Sequence, residues 1–327
     1  MNTLHSALAV LIGLCLTGIA AGQSPAPATP APPAAMLPLP KVASGTIERL
    51  ANFPSKFVDA RNVDVWLPEG YRRGHRKRYN VLYMQDGQML FDPATTWNKR
   101  AWKVDVTMAR LIREGRIPDT IVVGIWNVGT LRYAEYYPEK FLALVDEPIR
   151  KDYVQRAQLG RSRADDYLRF LVGELKPAID RKYRTNPGPE HTFVMGSSMG
   201  GLISIYAMCE YPQIFGGAAG VSTHWIGRPT AWGPVPTLQN AALPLAAFVY
   251  LSEHLAAPEN HRLYMDHGTL GVDALYGVHQ AFIDQIVRQR GYDDGNWMSR
   301  TFEGKDHNEA DWAERFEIPV LFLMGNK

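Results

Sequence analysis

Short runs of consecutive apolar residues, more than alternating ones, dominate the pattern of this chain. Tyr79-Asn-Val-Leu-Tyr-Met-Gln-Asp86 and Thr120-Ile-Val-Val-Gly-Ile-Trp126 are too short for helices and apolar on both faces, which predicts strands covered from both sides, as in a parallel sheet. Helical periodicity marks Val104 to Glu114 and Arg163 to Tyr183, the latter keeping Leu168, Leu171, Val172, Leu175 and Ile179 in register. Two extended runs between Gly45 and Leu67, interrupted at Pro54 and Asn62, predict an antiparallel pair at a sheet edge. Further strands are expected at Thr192 to Met195, Gly217 to Ser222, Arg262 to Asp266 and Trp297 to Phe302. They alternate with helices at Leu202 to Glu210, Ala241 to His254, Val278 to Arg290 and from Asn308 onward. This order predicts an α/β fold with a mostly parallel central sheet flanked by helices on both faces. Ligands bind such sheets beyond the carboxyl ends of the strands. Chemistry is therefore expected in the loops after Asp86, Met195, Ser222, Asp266 and Phe302.

One strand-to-helix junction carries a motif. Gly196-Ser-Ser-Met-Gly200 sits between the β-prone Thr192 to Met195 and a helix-forming run that ends at Tyr211-Pro212. It reads as the nucleophile elbow of a serine hydrolase, with Ser198 at the tip and Gly196 and Gly200 required where a Cβ would not fit. A serine hydroxyl needs an imidazole to take its proton and a carboxylate to orient that imidazole. Of the histidines that follow, His307 fits best, in the polar loop Glu303-Gly-Lys-Asp-His-Asn-Glu309 between the last strand and the last helix. Asp273 and Asp266 bracket the loop that should supply the acid. Asp273 is preferred because it lies further out, while Asp266 ends the strand and is placed to brace the turn. Acyl transfer also needs donors for the oxyanion. The backbone N–H groups of Met199 and of Gln88, in Gln85-Asp-Gly-Gln-Met89, are the candidates, with Gly87 allowing a tight turn.

Composition removes alternatives. With 35 basic and 33 acidic residues in 327, no broad nucleic-acid surface is expected. The basic run Tyr71 to Tyr79 reads as a solvated loop. No HExxH or comparable ligand cluster suggests a metal, and no cofactor is implied. Ala7 to Ile19 is an apolar core followed by Ala20-Ala21-Gly22, which predicts a cleaved secretory signal over residues 1–22, with an uncleaved anchor as the alternative. A Pro/Ala-rich tether over 23–41 and a single catalytic domain over 42–327 follow, giving a periplasmic or secreted protein with no integral span after cleavage. After cleavage Cys209 is the lone cysteine, so no intramolecular disulfide can form. The expected pocket rim is aromatic: Trp97, Trp102, Trp126, Tyr133, Tyr136, Trp225 and Trp232, with His224 beside them. Trp126, His224 and Trp225 are the candidate substrate-binding residues, and Arg132 and Arg228 are candidates for an anionic group.

Taken together, Met84-Gln-Asp-Gly-Gln-Met-Leu-Phe-Asp-Pro93, Gly124-Ile-Trp-Asn127, Arg132 with Glu135-Tyr136, Gly196-Ser-Ser-Met-Gly-Gly201, Asp266-His-Gly-Thr269 and Asp306-His-Asn-Glu309 resemble the putative esterase family of the α/β-hydrolase superfamily. That group includes esterase D, feruloyl and acetyl-xylan esterases, enterochelin-type siderophore esterases and mycolyl transferases. The resemblance spans nearly all of residues 45–325. It implies a serine carboxylesterase without metal or organic cofactor, acting on a small-molecule or glycan-linked ester. By position it maps the nucleophile onto Ser198, the base onto His307 and the oxyanion donors onto Gln88 and Met199. Many relatives read His-Asp-Gly-Gln-Asn where this chain has Gln85 to Met89, and feruloyl-type relatives place the acid two residues after Gly-Thr rather than four, which leaves Asp266 open beside Asp273. Acyl transfer to an alcohol, or a non-catalytic binding domain on the same fold, are the competing expectations.

Overall fold

The structure, a computed structural model, describes residues 37–71, 76–230 and 238–325. The expected leader, most of the tether, part of the basic run and Trp232 lie outside the described residues. Among the described residues, eight strands form one sheet: β1 (Thr46–Phe53), β2 (Arg61–Leu67), β3 (Asn80–Gln85), β4 (Thr120–Ile125), β5 (Thr192–Ser197), β6 (Gly217–Val221), β7 (Arg262–Gly268) and β8 (Trp297–Phe302). Their spatial order is β1-β2-β4-β3-β5-β6-β7-β8. β1 and β2 pair antiparallel, β2 pairs antiparallel with β4, and the remaining strands run parallel. The edge pair thus lies where expected, but its break differs. Asn62 is inside β2, and the irregularity falls in β1 between Leu50 and Phe53, where Asn52 takes a positive φ and its N–H is held by the Asn62 side chain.

The apolar runs read as two-sided strands because they supply two cores at once. In β3, Val81 and Tyr83 enter one core while Leu82 and Met84 enter the other; in β5, Val194 opposes Phe193 and Met195. One face is covered by the helices Val104–Arg113, Glu309–Arg315 and Glu317–Met324 through Met108, Leu111, Trp312, Phe316 and Val320. The other is covered by Ala164–Phe170 with the π-helical turn Leu171–Leu175 and Lys176–Lys182, and by Met199–Glu210, Leu238–His254 and Gly277–Gln289. With full burial of large apolar side chains stabilising by roughly 1.5–3 kcal/mol each, both layers are needed to hold the parallel strands rigid. That rigidity fixes the loops at their carboxyl ends. Three helices absent from the sequence reading, Arg132–Tyr136, Glu139–Ala143 and Glu147–Ala157, follow β4 and add Tyr136, Phe141 and Tyr153 to the second of these cores.

Candidate active site

Ser198 follows β5 with φ 56° and ψ −125°, a backbone conformation strained for any residue with a Cβ. Three backbone hydrogen bonds impose it: Ser198 N–H donates to Val221, and the Ser198 carbonyl accepts from Leu202 and His224. The turn closes only because Gly196 is bare, since a Cβ there would stand 2.5 Å from the Gly200 carbonyl carbon. The helix Met199–Glu210 begins directly after Ser198, so its first N–H groups, Met199 among them, lack intrahelical acceptors.

The loop after β3 faces this turn. Here Asp86, not Gly87, takes the left-handed conformation, with φ 56°. Gly87 serves a different need: a Cβ on it would lie 2.4 Å from the carbonyl carbon of Gly124 in β4. The Asp86 carboxylate accepts from Arg132 Nε at 2.8 Å, Arg132 Nη2 at 2.6 Å and Asn127 Nδ2 at 2.7 Å. The Gln88 side chain accepts from the Asn127 N–H. Asp86, Asn127 and Arg132 therefore pin the segment that carries the Gln88 N–H, and Arg132, a candidate anion binder by sequence, is already paired in a fork.

His307 and Asp273 meet from different loops, with Nδ1 2.6 Å from Oδ1. The other Asp273 oxygen accepts from Ser222 Oγ at 2.5 Å and from the Gly268 N–H at 2.7 Å. Burial pushes the Asp273 pKa up, but the His307, Ser222 and Gly268 hydrogen bonds outweigh it and hold the group below its usual value. Ser222 Oγ in turn accepts from Trp312 Nε1 and Arg315 Nη2, so its single proton is committed to Asp273. Asp266 points elsewhere. Its oxygens take the Ser222 N–H, the Tyr264 hydroxyl and two Arg315 nitrogens, and burial, opposed by Arg315, raises its pKa.

Ser198, His307, Gln88, Asn127 and Arg132 line one cleft of about 580 Å³, walled by Met89, Trp97, Trp102 and Trp312. Trp97 is 83% exposed at its mouth. The expected aromatic rim is only partly there. Trp225 is 1% exposed, part of the core beneath, with its indole N–H on Gln280, so its assignment as a substrate-binding residue is corrected. Trp126 also stands off the cleft, giving its indole N–H to Asp64 and stacking on Arg49. His224 is 2% exposed and spends one ring nitrogen on the Tyr276 hydroxyl and the other on the Arg228 carbonyl, which leaves none for a substrate. Tyr136 is buried as well. Sequence reasoning missed Ser222, Tyr276, Trp312 and Arg315, whose residue types carry no spacing signal, whereas Asp86 and Arg132 stood within the quoted motifs.

A strained serine at the start of a helix and a histidine backed by a carboxylate, in one cleft, can together attack a carbonyl and shuttle the proton. Comparison with known proteins bears on the fold and the family. An endo-1,4-beta-xylanase/feruloyl esterase of Xylanibacter ruminicola is 26% identical over 175 residues, 53% of this chain and 21% of that protein. The chain spans between about a fifth and three fifths of the length of the curated relatives it matches. Among solved structures, a ferulic acid esterase of the anaerobic fungus Anaeromyces mucronatus superposes with TM-score 0.57 at 18% identity, covering 90% of this chain and 94% of that one. The enterobactin esterase of Shigella flexneri superposes with TM-score 0.60 at 16% identity over 87% of this chain and 60% of that one. These likenesses establish the α/β-hydrolase fold. The sequence profile described as putative esterase matches residues 55–320, and the chain therefore belongs to the putative esterase family.

Proposed function

We propose that this protein is a serine esterase that works through an acyl-enzyme on Ser198. The observation that carries the reading is the 2.6 Å contact of His307 Nδ1 with Asp273, in a loop that shares one cleft with the strained Ser198. The Ser198 oxygen attacks the ester carbonyl while its proton passes to His307, and the carbonyl electron pair moves onto oxygen between the Met199 and Gln88 N–H groups. Collapse breaks the bond to the leaving alcohol, which takes the proton from His307. Water repeats the sequence, releasing the carboxylic acid and returning the proton to Ser198. Asp273 keeps its charge throughout and holds the imidazole in the tautomer that presents a free Nε2 to Ser198.

The substrate class is an acylated carbohydrate, a phenolic ester or a siderophore ester. The cleft supports this choice through Trp97, Trp102 and Trp312, whose rings can pack on a planar acyl group or a sugar face, and through its size, which admits a small organic ester. The relatives named as feruloyl and enterobactin esterases point the same way. Export to the periplasm or beyond rests on the apolar run Ala7 to Ile19 and the Pro/Ala tether. Among the described residues no helix is long and apolar enough to cross a membrane.

The test is a panel of p-nitrophenyl acetate, butyrate and octanoate, methyl ferulate and a triscatecholate lactone, run with wild type and Ser198→Ala. Turnover confined to the wild type is expected, and the preferred ester identifies the class. Equal turnover in both proteins would remove Ser198 as the nucleophile.

A further inference from the structure

Among the described residues, two carboxylates line the cleft around Ser198: Asp86, which is spent on Arg132 and Asn127, and Glu309. Glu309 is only 8% exposed, yet no described cation pairs with it. Its Oε2 accepts from Asn98 Nδ2 at 2.7 Å, and its Oε1 accepts from no described residue. The Asn98 amide cannot be turned the other way, because its oxygen already accepts the Arg100 N–H at 3.1 Å. A carboxylate offers about four lone-pair sites, and burying it with a single neutral donor is costly unless something else supplies the rest. Capping does not account for it. The helix Glu309–Arg315 takes its cap from Asn308, whose side-chain oxygen accepts from the Ala310 and Asp311 N–H groups at 3.1 and 3.2 Å. The backbone explains the aim instead. Asn308 is extended, with φ −155° and ψ 160°, so the side chains on either side of it leave the same face, and His307 and Glu309 both reach the cleft. Two extended residues advance about 7 Å along that wall.

We propose that Glu309 is a specificity-determining residue, whose free oxygen accepts a hydrogen bond from a hydroxyl on the alcohol half of the ester. In the reaction His307 hands its proton to the leaving alcohol, so that oxygen sits within hydrogen-bond reach of the imidazole. Substituents on the alcohol then lie along the segment that carries His307, and Glu309 is the next side chain on its cleft face. A bond from a hydroxyl to a carboxylate is charge-assisted and needs no counter-charge on the substrate. Arg100, exposed in the same cleft, works against a cationic alcohol, and Glu309 itself works against an anionic one, which leaves a neutral polyol. Trp97, one residue before Asn98 and 83% exposed, offers the carbon face of that polyol a surface to lie on. The hydroxyl is remote from the reacting atoms, so its bond is present before and at the transition state and shows in KM rather than kcat.

This inference rests on the esterase reading, and the experiment keeps their failures apart. The substrates are 2,3-dihydroxypropyl butyrate and 2-methylbutyl butyrate, in which a methyl group replaces each hydroxyl. The ratio of kcat/KM, diol ester over alkyl ester, is expected to fall about ten-fold from wild type to Glu309→Gln, through KM of the diol ester. Glutamine keeps the shape and gives its amide oxygen to Asn98, so an NH2 group stands where the acceptor was. An equal ratio in the two proteins would overturn the proposal, even if both rates dropped, because a disturbed His307 slows both esters alike. The matching ethers, 3-butoxypropane-1,2-diol and 2-methylbutyl butyl ether, cannot be hydrolysed and read the site without turnover. Their Kd values by saturation-transfer NMR should show the preference for the diol falling about ten-fold in Glu309→Gln. An unmoved Kd ratio would overturn the proposal in a protein that hydrolyses nothing, whereas ester turnover that persists in Ser198→Ala would strike only the esterase reading.

Discussion

The two ends of the sheet hold cavities of unlike character. At the amino ends of the strands, about 870 Å³ is bounded by Asn80, His191, His261, Arg262 and Met324; at the carboxyl ends, the cleft around Ser198 holds about 580 Å³. The larger space has charged groups and histidines, yet they are spent on the scaffold. His191 meets Asn80, His261 meets the Ala257 and Pro212 carbonyls, and Arg262 donates to the Phe322 and Leu323 carbonyls at the end of the last helix. The smaller cleft has a strained backbone at Ser198, donors at a helix start, and an imidazole with one nitrogen tied to a carboxylate. Volume does not separate a site from a crevice here. What separates them is whether polar groups are used up in holding the chain or held ready for something absent.

The strongest way to break that comparison is to remove the Ser198 hydroxyl at one end and a histidine at the other. Ser198→Ala is expected to lower kcat/KM by about 10⁴-fold or more, with residual rate from the oxyanion donors. His191→Ala should leave kcat/KM unchanged. Initial rates on one p-nitrophenyl ester decide it, and a comparable loss in both variants would mean that the ends do not differ in the way described.

At the carboxyl ends, the two buried aspartates Asp273 and Asp266 sharpen the distinction. Asp273→Asn should reduce kcat/KM by about 10³–10⁴-fold, because an amide favours the wrong tautomer of His307. Its unfolding midpoint should fall less than that of Asp266→Asn. Asp266→Asn instead strips the charge from Arg315, which is 3.2 Å away with only 3% of its side chain exposed. A buried cation left with only the more distant Asp273 Oδ2, 3.9 Å away, should cost about 3 kcal/mol, read as a lower urea midpoint at unchanged slope. If Asp266→Asn lost activity and kept its stability, the roles would be reversed.

That pair also shows how far the sequence could be read. Asp273 ends up in the loop where the acid is expected, whereas Asp266 lies inside β7, and position alone ranks Asp273 first because it lies beyond the strand. Their separation comes from χ angles and from Ser222, Trp312 and Arg315, which arrive from other elements and leave no trace in spacing. The strands were legible for a physical reason: β3, β4 and β5 are apolar on both faces, and few other elements of that length are. The insertion of β4 between β2 and β3 was not, since strand order depends on long-range pairing. Glu147–Ala157 was missed because its apolar residues, Ile149, Tyr153 and Val154, are too few among charged ones to show a periodic stripe. The rim aromatics were misread in part because a tryptophan after a strand end packs down onto the sheet as readily as it faces the cleft, as Trp225 does.

The acid limb of stability should carry the signature of both carboxylates with opposite sign. Asp273 is held below its unfolded value of about 3.9, so its contribution is present above that pH and is lost as pH falls through the lower folded value. Asp266 is raised, so its contribution is greatest below about 3.9 and is lost as pH rises through the higher folded value. Melting temperatures recorded from pH 6 downward should therefore fall less steeply in Asp273→Asn than in wild type, and more steeply in Asp266→Asn. Parallel curves for all three proteins would show that neither carboxylate is coupled to folding as its hydrogen bonds imply.

The smallest expected effect lies at the quiet end. Arg262 donates to the Leu323 carbonyl at 3.0 Å and the Phe322 carbonyl at 3.2 Å, where the helix Glu317–Met324 has run out of its own donors. A cation there also meets the negative end of the helix dipole. Arg262→Ala should cost about 1 kcal/mol of stability, because the freed carbonyls lie beside the open cavity and water can replace the guanidinium. Catalysis should not register the change, since the helix packs under β6 and β7 far from their carboxyl ends. A lowered kcat in Arg262→Ala with the urea midpoint intact would mean that this cavity communicates with the cleft, and the contrast between the two ends would have to be given up.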